Sequence, residues 1–305
     1  MNKFLLTFIR LCFSLASLVS PKLAGRLAFR LFCTTFKVNK KSPQIHAILA
    51  QAQEQFAQAK PHLIAYSGGT IAAFEFKPIP ADHAVVNDTH ASAMTKTVLL
   101  VHGWQSHSGF MQKFIAPLQQ AGFRVITLDL PGHGQSSGRT FHLPLGVEAI
   151  NAACSQLGGF DVVISHSLGG AVMGTALSGT LPDYPGIPVS KIVLISSPNS
   201  MAKIFNDFST MVGLNTKANA ALHNNVTRLS GRVTDDFNVA SQLQSVNADI
   251  LIMHAPDDKE VLFTEAQAIA QANASALLKP MPGLGHRRII ADDTVVAKAV
   301  EFICS

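Results

Sequence analysis

The sequence has few charged residues and few cysteines. Asp, Glu, Lys and Arg make up 14% of its 305 residues, whereas hydrophobic residues make up 48%. This balance excludes an intrinsically disordered chain and suffices for a full core. The four cysteines (Cys12, Cys33, Cys154 and Cys304) are scattered without a CxxC pair. The sequence therefore lacks zinc and redox motifs, we expect no disulfide framework, and a reducing compartment fits.

Acidic residues are missing from the first 41 positions, which hold eight Lys and Arg residues. The rest of the chain carries 16 basic and 19 acidic side chains. The net charge of +5 is therefore a property of the N-terminus. Nucleic-acid binding requires a basic face with base-reading or stacking groups, which the sequence does not indicate. We expect no nucleic-acid partner.

Residues 1–41 have the pattern of two basic amphipathic helices separated by Pro21. Polar residues recur at steps of four and three in the first helix, at Lys3, Thr7, Arg10, Ser14 and Ser17. In the second, Lys22, Arg26 and Arg30 lie opposite Leu23, Leu27 and Leu31. Arg10 interrupts the apolar run, which argues against a secretory signal and against a membrane span.

Three interpretations of this segment stay open. The helices lie on an anionic membrane surface, or they pack on the following domain, or they are a cleaved or anchoring signal. The first two place the protein in the cytoplasm, with or without attachment to the inner membrane surface. The third predicts export.

From residue 96 onward, short apolar runs alternate with helical segments. The runs are rich in Val, Ile and Leu, which is typical of strands buried on both faces of a parallel sheet. The alternation predicts an α/β fold with a mostly parallel central sheet and helices on both faces. A hairpin is predicted over 62–77, and a single helix over 110–121. The strand rhythm stops between Pro198 and Asp249, which predicts a helical insertion at about 199–247 within a domain spanning 42–305.

Short motifs follow several of the predicted strands. Ser165-His166-Ser167-Leu168-Gly169-Gly170 joins a strand to a helix. It resembles the G-x-S-x-G nucleophile elbow of the α/β-hydrolase superfamily, with Ser165 in place of the first glycine. His102-Gly103-Trp104 resembles the HG-x oxyanion loop of that superfamily, and Asp129–Ser136 resembles its D-x-P-G-H-G-x-S turn. The sequence is thus similar to a serine hydrolase of this superfamily over about 62–305.

The resemblance implies which residues carry the chemistry. Ser167 would be the nucleophile and His286, in Gly283-Leu284-Gly285-His286, the base. The segment His254–Val261 resembles H-G-x-x-D-x-x-V, whose register selects Asp258 rather than Asp257 as the acid. The backbone N–H groups of Trp104 and Leu168 would form the oxyanion hole. His133 is expected to have a structural role. His107 is expected to be structural or solvent-exposed, and His166 to line the pocket wall or to serve in packing.

The insertion begins with an apolar helix face that includes Phe205 and Phe208. This face belongs either to the core or to an adaptable wall over the active site. Together with His102, these two residues are the candidate substrate pocket. The second interpretation favours a small-molecule ester with an apolar, lipid-like acyl chain.

Hydrolysis of a carboxylic ester through an acyl-enzyme is the function that the resemblance implies. This chemistry requires no metal and no cofactor. Thioesterase, lactonase, acyltransferase and C–C hydrolase reactions use the same three residues and stay open as alternatives. A binding module on a hydrolase scaffold is the alternative outside the enzymes.

Overall fold

The structure is a computed structural model that describes residues 3–36, 43–79 and 95–305. Positions 1–2 and 37–41 of the predicted N-terminal segment lie outside the described residues. Eight strands form one sheet: β1 Lys60–Tyr66, β2 Gly69–Phe76, β3 Thr97–Val101, β4 Arg124–Leu128, β5 Val162–His166, β6 Lys191–Ile195, β7 Asp249–His254 and β8 Ala276–Pro280.

Twelve α-helices are found in the described residues: α1 Lys3–Val19, α2 Pro21–Cys33, α3 Pro43–Phe56, α4 Ile115–Gln120, α5 Leu143–Leu157, α6 Leu168–Ser178, α7 Met201–Val212, α8 Thr216–Ser230, α9 Val239–Leu243, α10 Phe263–Ala272, α11 Gly285–Arg288 and α12 Asp293–Cys304.

The strand order is β1-β2-β4-β3-β5-β6-β7-β8. The hairpin β1–β2 is antiparallel and joins β4 in antiparallel register, whereas all pairs from β4 to β8 are parallel. Strands β3 and β5 are buried along their whole length, because helices cover both sides of the sheet. The buried apolar side chains form two separate clusters. The predicted fold class and the hairpin are confirmed.

One predicted helix differs from the structure. A single helix is predicted over 110–121, but the chain forms a 3₁₀ helix at Ser108–Phe114 and only then the short α4. Pro117 explains the break. Proline has no N–H to donate, and it is tolerated only in the first turn of an α-helix, so α4 begins close before it.

The predicted helical insertion contains α7, α8 and α9, which lie between β6 and β7. Helix α2 packs on α8 through Ala24, Gly25 and Ala28, which are buried. A Cβ at Gly25 would lie 2.5 Å from the carbonyl oxygen of Ala218, so only glycine permits this close approach.

Helix α1 lies against the end of α7. The Ser14 hydroxyl donates a hydrogen bond of 3.0 Å to the carbonyl oxygen of Gly213, and the Asn215 amide donates one of 2.9 Å to the carbonyl oxygen of Ser17. None of the described helices is both long and apolar enough to cross a membrane.

The close contact at Gly25 generates a prediction. Gly25→Val should lower the free energy of unfolding by about 2 kcal/mol, because the added methyl groups force α2 away from α8. Urea unfolding followed by circular dichroism measures the change. Ala50→Val, at an exposed position of α3, is the matched control and should change stability little. Equal stability of the two variants would contradict the close packing of α2.

Candidate functional site

Ser167 occupies the sharp turn between β5 and α6. Its φ of 52° and ψ of −127° are unusual for a residue with a side chain. The turn brings strand and helix so close that a Cβ at Gly103 would lie 2.8 Å from the Cβ of Ser167. A Cβ at Gly169 would lie 2.6 Å from the carbonyl oxygen of His102. Small neighbours therefore permit the strained conformation that points Ser167 out of the sheet.

Three side chains from distant parts of the chain form a hydrogen-bonded row. His286 Nε2 lies 2.9 Å from Ser167 Oγ, and His286 Nδ1 lies 2.8 Å from Asp258 Oδ2. A carboxylate can only accept, so Nδ1 carries the proton and Nε2 accepts from the serine hydroxyl. All three side chains are buried, at the carboxyl ends of the parallel strands.

The surroundings of Asp258 keep its carboxylate charged. Burial raises its pKa, but hydrogen bonds from His254, His286 and the backbone N–H of Val261 outweigh burial and hold the pKa far below its usual value. Oδ1 accepts from the N–H groups of Glu260 and Val261 at 2.8 and 2.9 Å. His254 Nε2 lies 3.3 Å from Oδ2. The group facing His286 is therefore an anion fixed on both oxygens.

The two adjacent aspartates have different partners. Asp257 Oδ1 accepts a 2.7 Å hydrogen bond from the N–H of Gly283. Asp257 thus ties down the loop that carries His286, whereas Asp258 contacts the imidazole itself. The structure brings Asp258, and not Asp257, to the histidine.

His166 lies beside the row rather than within it. Its Nε2 donates to the backbone carbonyl oxygen of His286 at 2.9 Å, and the two rings are 5.0 Å apart between centroids. Burial, followed by the nearby charge of His286, lowers the pKa of His166 to about 3. His166 is therefore a neutral donor that braces the backbone of His286, a contact that the sequence did not indicate.

Leu168 follows Ser167 directly in the chain. Trp104 follows Gly103, where a Cβ would lie 2.8 Å from the Cβ of Ser167. Within the described residues, neither donates a backbone hydrogen bond. His102 positions this loop: its Nε2 accepts from the N–H of Leu130 at 3.0 Å, and its Nδ1 donates to the carbonyl oxygen of Gly103 at 2.7 Å. The two N–H groups are thus available to an acceptor beside Ser167.

Leu168, the residue after Ser167, lines a narrow apolar cavity. Its walls come from α2, α5, α7, α8 and the loop before α9, and include Phe29, Phe32, Phe205, Val226 and Phe237.

Of the three candidate pocket residues, only Phe205 lines this cavity. His102 is fully buried with both ring nitrogens bonded, and Phe208 packs edge-on against Phe32 at 5.1 Å. The sequence missed the contribution of α2, because no local pattern shows that an N-terminal helix reaches this cavity. Among the described residues, no group of three His, Cys, Asp or Glu side chains has the arrangement of a metal site.

A model of the alpha/beta hydrolase family matches residues 98–299. A non-heme haloperoxidase of Rhodococcus erythropolis is 25% identical, over 68% of this chain and 92% of its own length. Two other curated relatives are covered over only 24% and 36% of their length, so the chain spans a quarter to a third of these proteins.

Solved structures share the fold. An esterase of Pyrococcus furiosus has a TM-score of 0.60 at 17% identity, covering 88% of this chain and 98% of its own. A bacterial membrane phospholipase A has a TM-score of 0.58 at 15% identity, covering 100% of this chain and 99% of its own.

The neutral state of His166 predicts a pH dependence of stability. In the unfolded chain a histidine binds a proton below about pH 6.5, whereas folded His166 stays neutral down to about pH 3. The unfolded state therefore binds more protons, and the free energy of unfolding should fall as the pH falls. From pH 7 to pH 5 this histidine should account for about 2 kcal/mol.

Urea unfolding of the wild type and of His166→Gln at both pH values measures this contribution. The difference between the two pH values should be about 2 kcal/mol smaller in the variant, whatever its absolute stability. The same pH dependence in both proteins would show that folded His166 titrates normally.

Proposed function

Because the chain belongs to the alpha/beta hydrolase family, we propose that it hydrolyses carboxylic esters with Ser167 as the nucleophile. The observation that carries the proposal is the hydrogen-bonded row from Ser167 through His286 to Asp258. Family membership supports a hydrolase-type enzyme. The row adds the chemistry, since a serine hydroxyl bonded to an imidazole bonded to a carboxylate is the arrangement that activates serine.

In the proposed first step, Ser167 Oγ attacks the carbonyl carbon of the ester while His286 Nε2 takes its proton. The N–H groups of Trp104 and Leu168 donate hydrogen bonds to the former carbonyl oxygen and stabilise its negative charge. The imidazolium is stabilised by the Asp258 carboxylate. When the tetrahedral intermediate collapses, the C–O bond to the alcohol breaks and His286 gives its proton to the alcohol.

The second half of the reaction returns the enzyme to its starting state. Water attacks the acyl group on Ser167, and His286 again takes the proton. The bond between the acyl carbon and Ser167 Oγ then breaks, and the proton goes back to the serine oxygen. The products are one carboxylic acid and one alcohol, with no change of oxidation state. The short contact from His166 to the His286 backbone favours a constant imidazole position through both halves.

The cavity at Leu168 supports a substrate with an apolar acyl chain. Aromatic and aliphatic side chains dominate its walls. An alkyl chain that moves from water into this cavity would therefore contact apolar groups and bury no charge. In this proposal α2, α7 and α8 form a lid over the acyl chain. The phospholipase A, which covers the whole of this chain, is a lipid hydrolase by name, and a lipid-like ester suits the same kind of cavity.

The nucleophile assignment can be tested with a fluorophosphonate probe, which labels activated serines covalently. The wild type should be labelled, and Ser167→Ala should not. Asp258→Asn should lower the labelling rate roughly 10⁴-fold, because the amide favours the wrong imidazole tautomer.

Asp257→Asn is the matched control for that test. It removes one charge at the neighbouring position but keeps an oxygen that accepts from Gly283, so it should label within a few-fold of wild type. Full labelling of Ser167→Ala, or no labelling of folded wild type, would refute the proposed nucleophile. Equal loss in both Asn variants would refute the assignment of Asp258.

The acyl cavity predicts a chain-length preference among p-nitrophenyl esters. The wild type should have a higher kcat/KM for octanoate than for acetate, since the longer chain buries more apolar surface. Val226→Trp fills the cavity and should lower kcat/KM for octanoate at least tenfold while acetate changes little.

Val233→Trp, at a position 51% exposed, is the matched control and should keep the wild-type preference. A wild-type preference for acetate would contradict the acyl cavity. An equal effect of Val226→Trp on both esters would do the same.

A further inference from the structure

Helix α1 presents its apolar side to the solvent. Its polar side lies on the protein, where Ser17 is 1% exposed and Ser14 bonds to Gly213. The opposite side carries large hydrophobic side chains, each more than half exposed: Leu5, Phe8, Leu11, Leu15, Leu18 and Val19. This is the reverse of a helix packed on a water-soluble domain, whose apolar side faces the core. We call these six residues the apolar face of α1.

The apolar face is contiguous along the helix. Its members follow one another at steps of three, three, four, three and one, which keeps them on one side over about four turns. Contiguous exposed apolar surface of this kind marks a site of contact with another molecule or with a membrane.

Positive charge lies on the adjoining helix. Arg26 and Arg30 of α2 are exposed, and with Arg228 of α8 they line a surface depression. Among the described side chains, no carboxylate forms an ion pair with any of the three arginines. The first 41 residues also contain no acid. This charge complements an anionic surface and not a neutral or basic one.

The arginine-lined depression adjoins the apolar cavity described above. Phe29 and Leu229 line both of them. The surface that suits anionic headgroups is therefore next to the walls that suit an alkyl chain. One surface with both chemistries fits a phospholipid bilayer better than it fits a second protein.

From these observations we propose that the apolar face of α1 inserts into the interface of an anionic lipid bilayer, while Arg26, Arg30 and Arg228 contact lipid phosphates. The helix lies in the plane of the membrane and does not cross it. An in-plane helix requires one apolar side, and its binding is strengthened by nearby basic residues. The inference goes beyond ester hydrolysis and does not depend on it, because binding is measured without substrate.

Vesicle sedimentation of the full chain tests the proposal. Vesicles are made from phosphatidylcholine alone, or with about a third phosphatidylglycerol. The wild type should bind the mixed vesicles at least tenfold more tightly. Raising the salt from about 0.1 M to about 1 M should weaken that binding, because the Debye length shortens from about 10 Å to about 3 Å.

Two double leucine variants test whether vesicle binding depends on the apolar face of α1 or on exposed hydrophobic residues in general. Leu15→Ser with Leu18→Ser should weaken binding to the mixed vesicles at least tenfold, since two inserted side chains are lost. Leu63→Ser with Leu277→Ser is the matched control, because these leucines are 76% and 51% exposed, against 55% and 77% for the first pair. The control pair should bind like wild type.

A second pair tests the charges. Arg26→Gln with Arg30→Gln should weaken binding to the mixed vesicles roughly tenfold and leave binding to phosphatidylcholine unchanged. Lys96→Gln with Lys298→Gln removes two exposed charges elsewhere and should have little effect.

Three results would overturn the proposal: no vesicle binding by wild type, equal binding by both leucine pairs, or a self-association that replaces vesicle binding. In the last case, light scattering would show that the wild type is a dimer and that the variant carrying Leu15→Ser and Leu18→Ser is a monomer. Labelling of the same variants by the fluorophosphonate probe is a separate readout, so failure of membrane binding and failure of the proposed hydrolysis remain distinguishable.

Discussion

The turn at Ser167 is the constraint on which the rest of the site depends. A residue with a side chain adopts a φ of 52° there, and the conformation is tolerated because glycines at 103 and 169 let the loop, strand and helix meet. The same turn presents the serine hydroxyl to His286 and places the N–H of Leu168 beside it. If the turn relaxed, the hydroxyl and that N–H would move together, so the proposed nucleophile and the proposed oxyanion donor are one structural unit.

The histidine is held from two directions. Asp258 accepts from its imidazole at 2.8 Å, and His166 donates to its backbone carbonyl oxygen at 2.9 Å. Asp258 is itself fixed by two backbone N–H groups and by His254. Such a network leaves the imidazole little freedom except the proton exchange between its Nε2 and Ser167, which is the motion that the proposed reaction requires.

The N-terminal helices connect the candidate site to the surface of the molecule. Helix α2 packs on α8 at Gly25 and also contributes Phe29 and Phe32 to the cavity beside Leu168. Helix α1 contacts α7 with its polar side and turns its apolar face outward. A segment that looks separable in sequence is therefore a wall of the proposed acyl cavity. Its removal would change the cavity as well as any membrane contact.

The sequence by itself determined the α/β class and the alternation of strands and helices, and its resemblance to the α/β-hydrolase superfamily selected Ser167, Asp258 and His286 as candidates. These depend on local patterns: apolar runs make buried strands, and short motifs sit where strands end, so their carboxyl ends bring the motifs together. Only the tertiary structure decided that Phe205 lines the cavity while His102 and Phe208 do not. It alone showed that His166 supports His286, and that α1 faces outward with its apolar side. Those features depend on contacts between residues far apart in the chain, and periodicity shows that a helix has two faces without showing which one the protein covers.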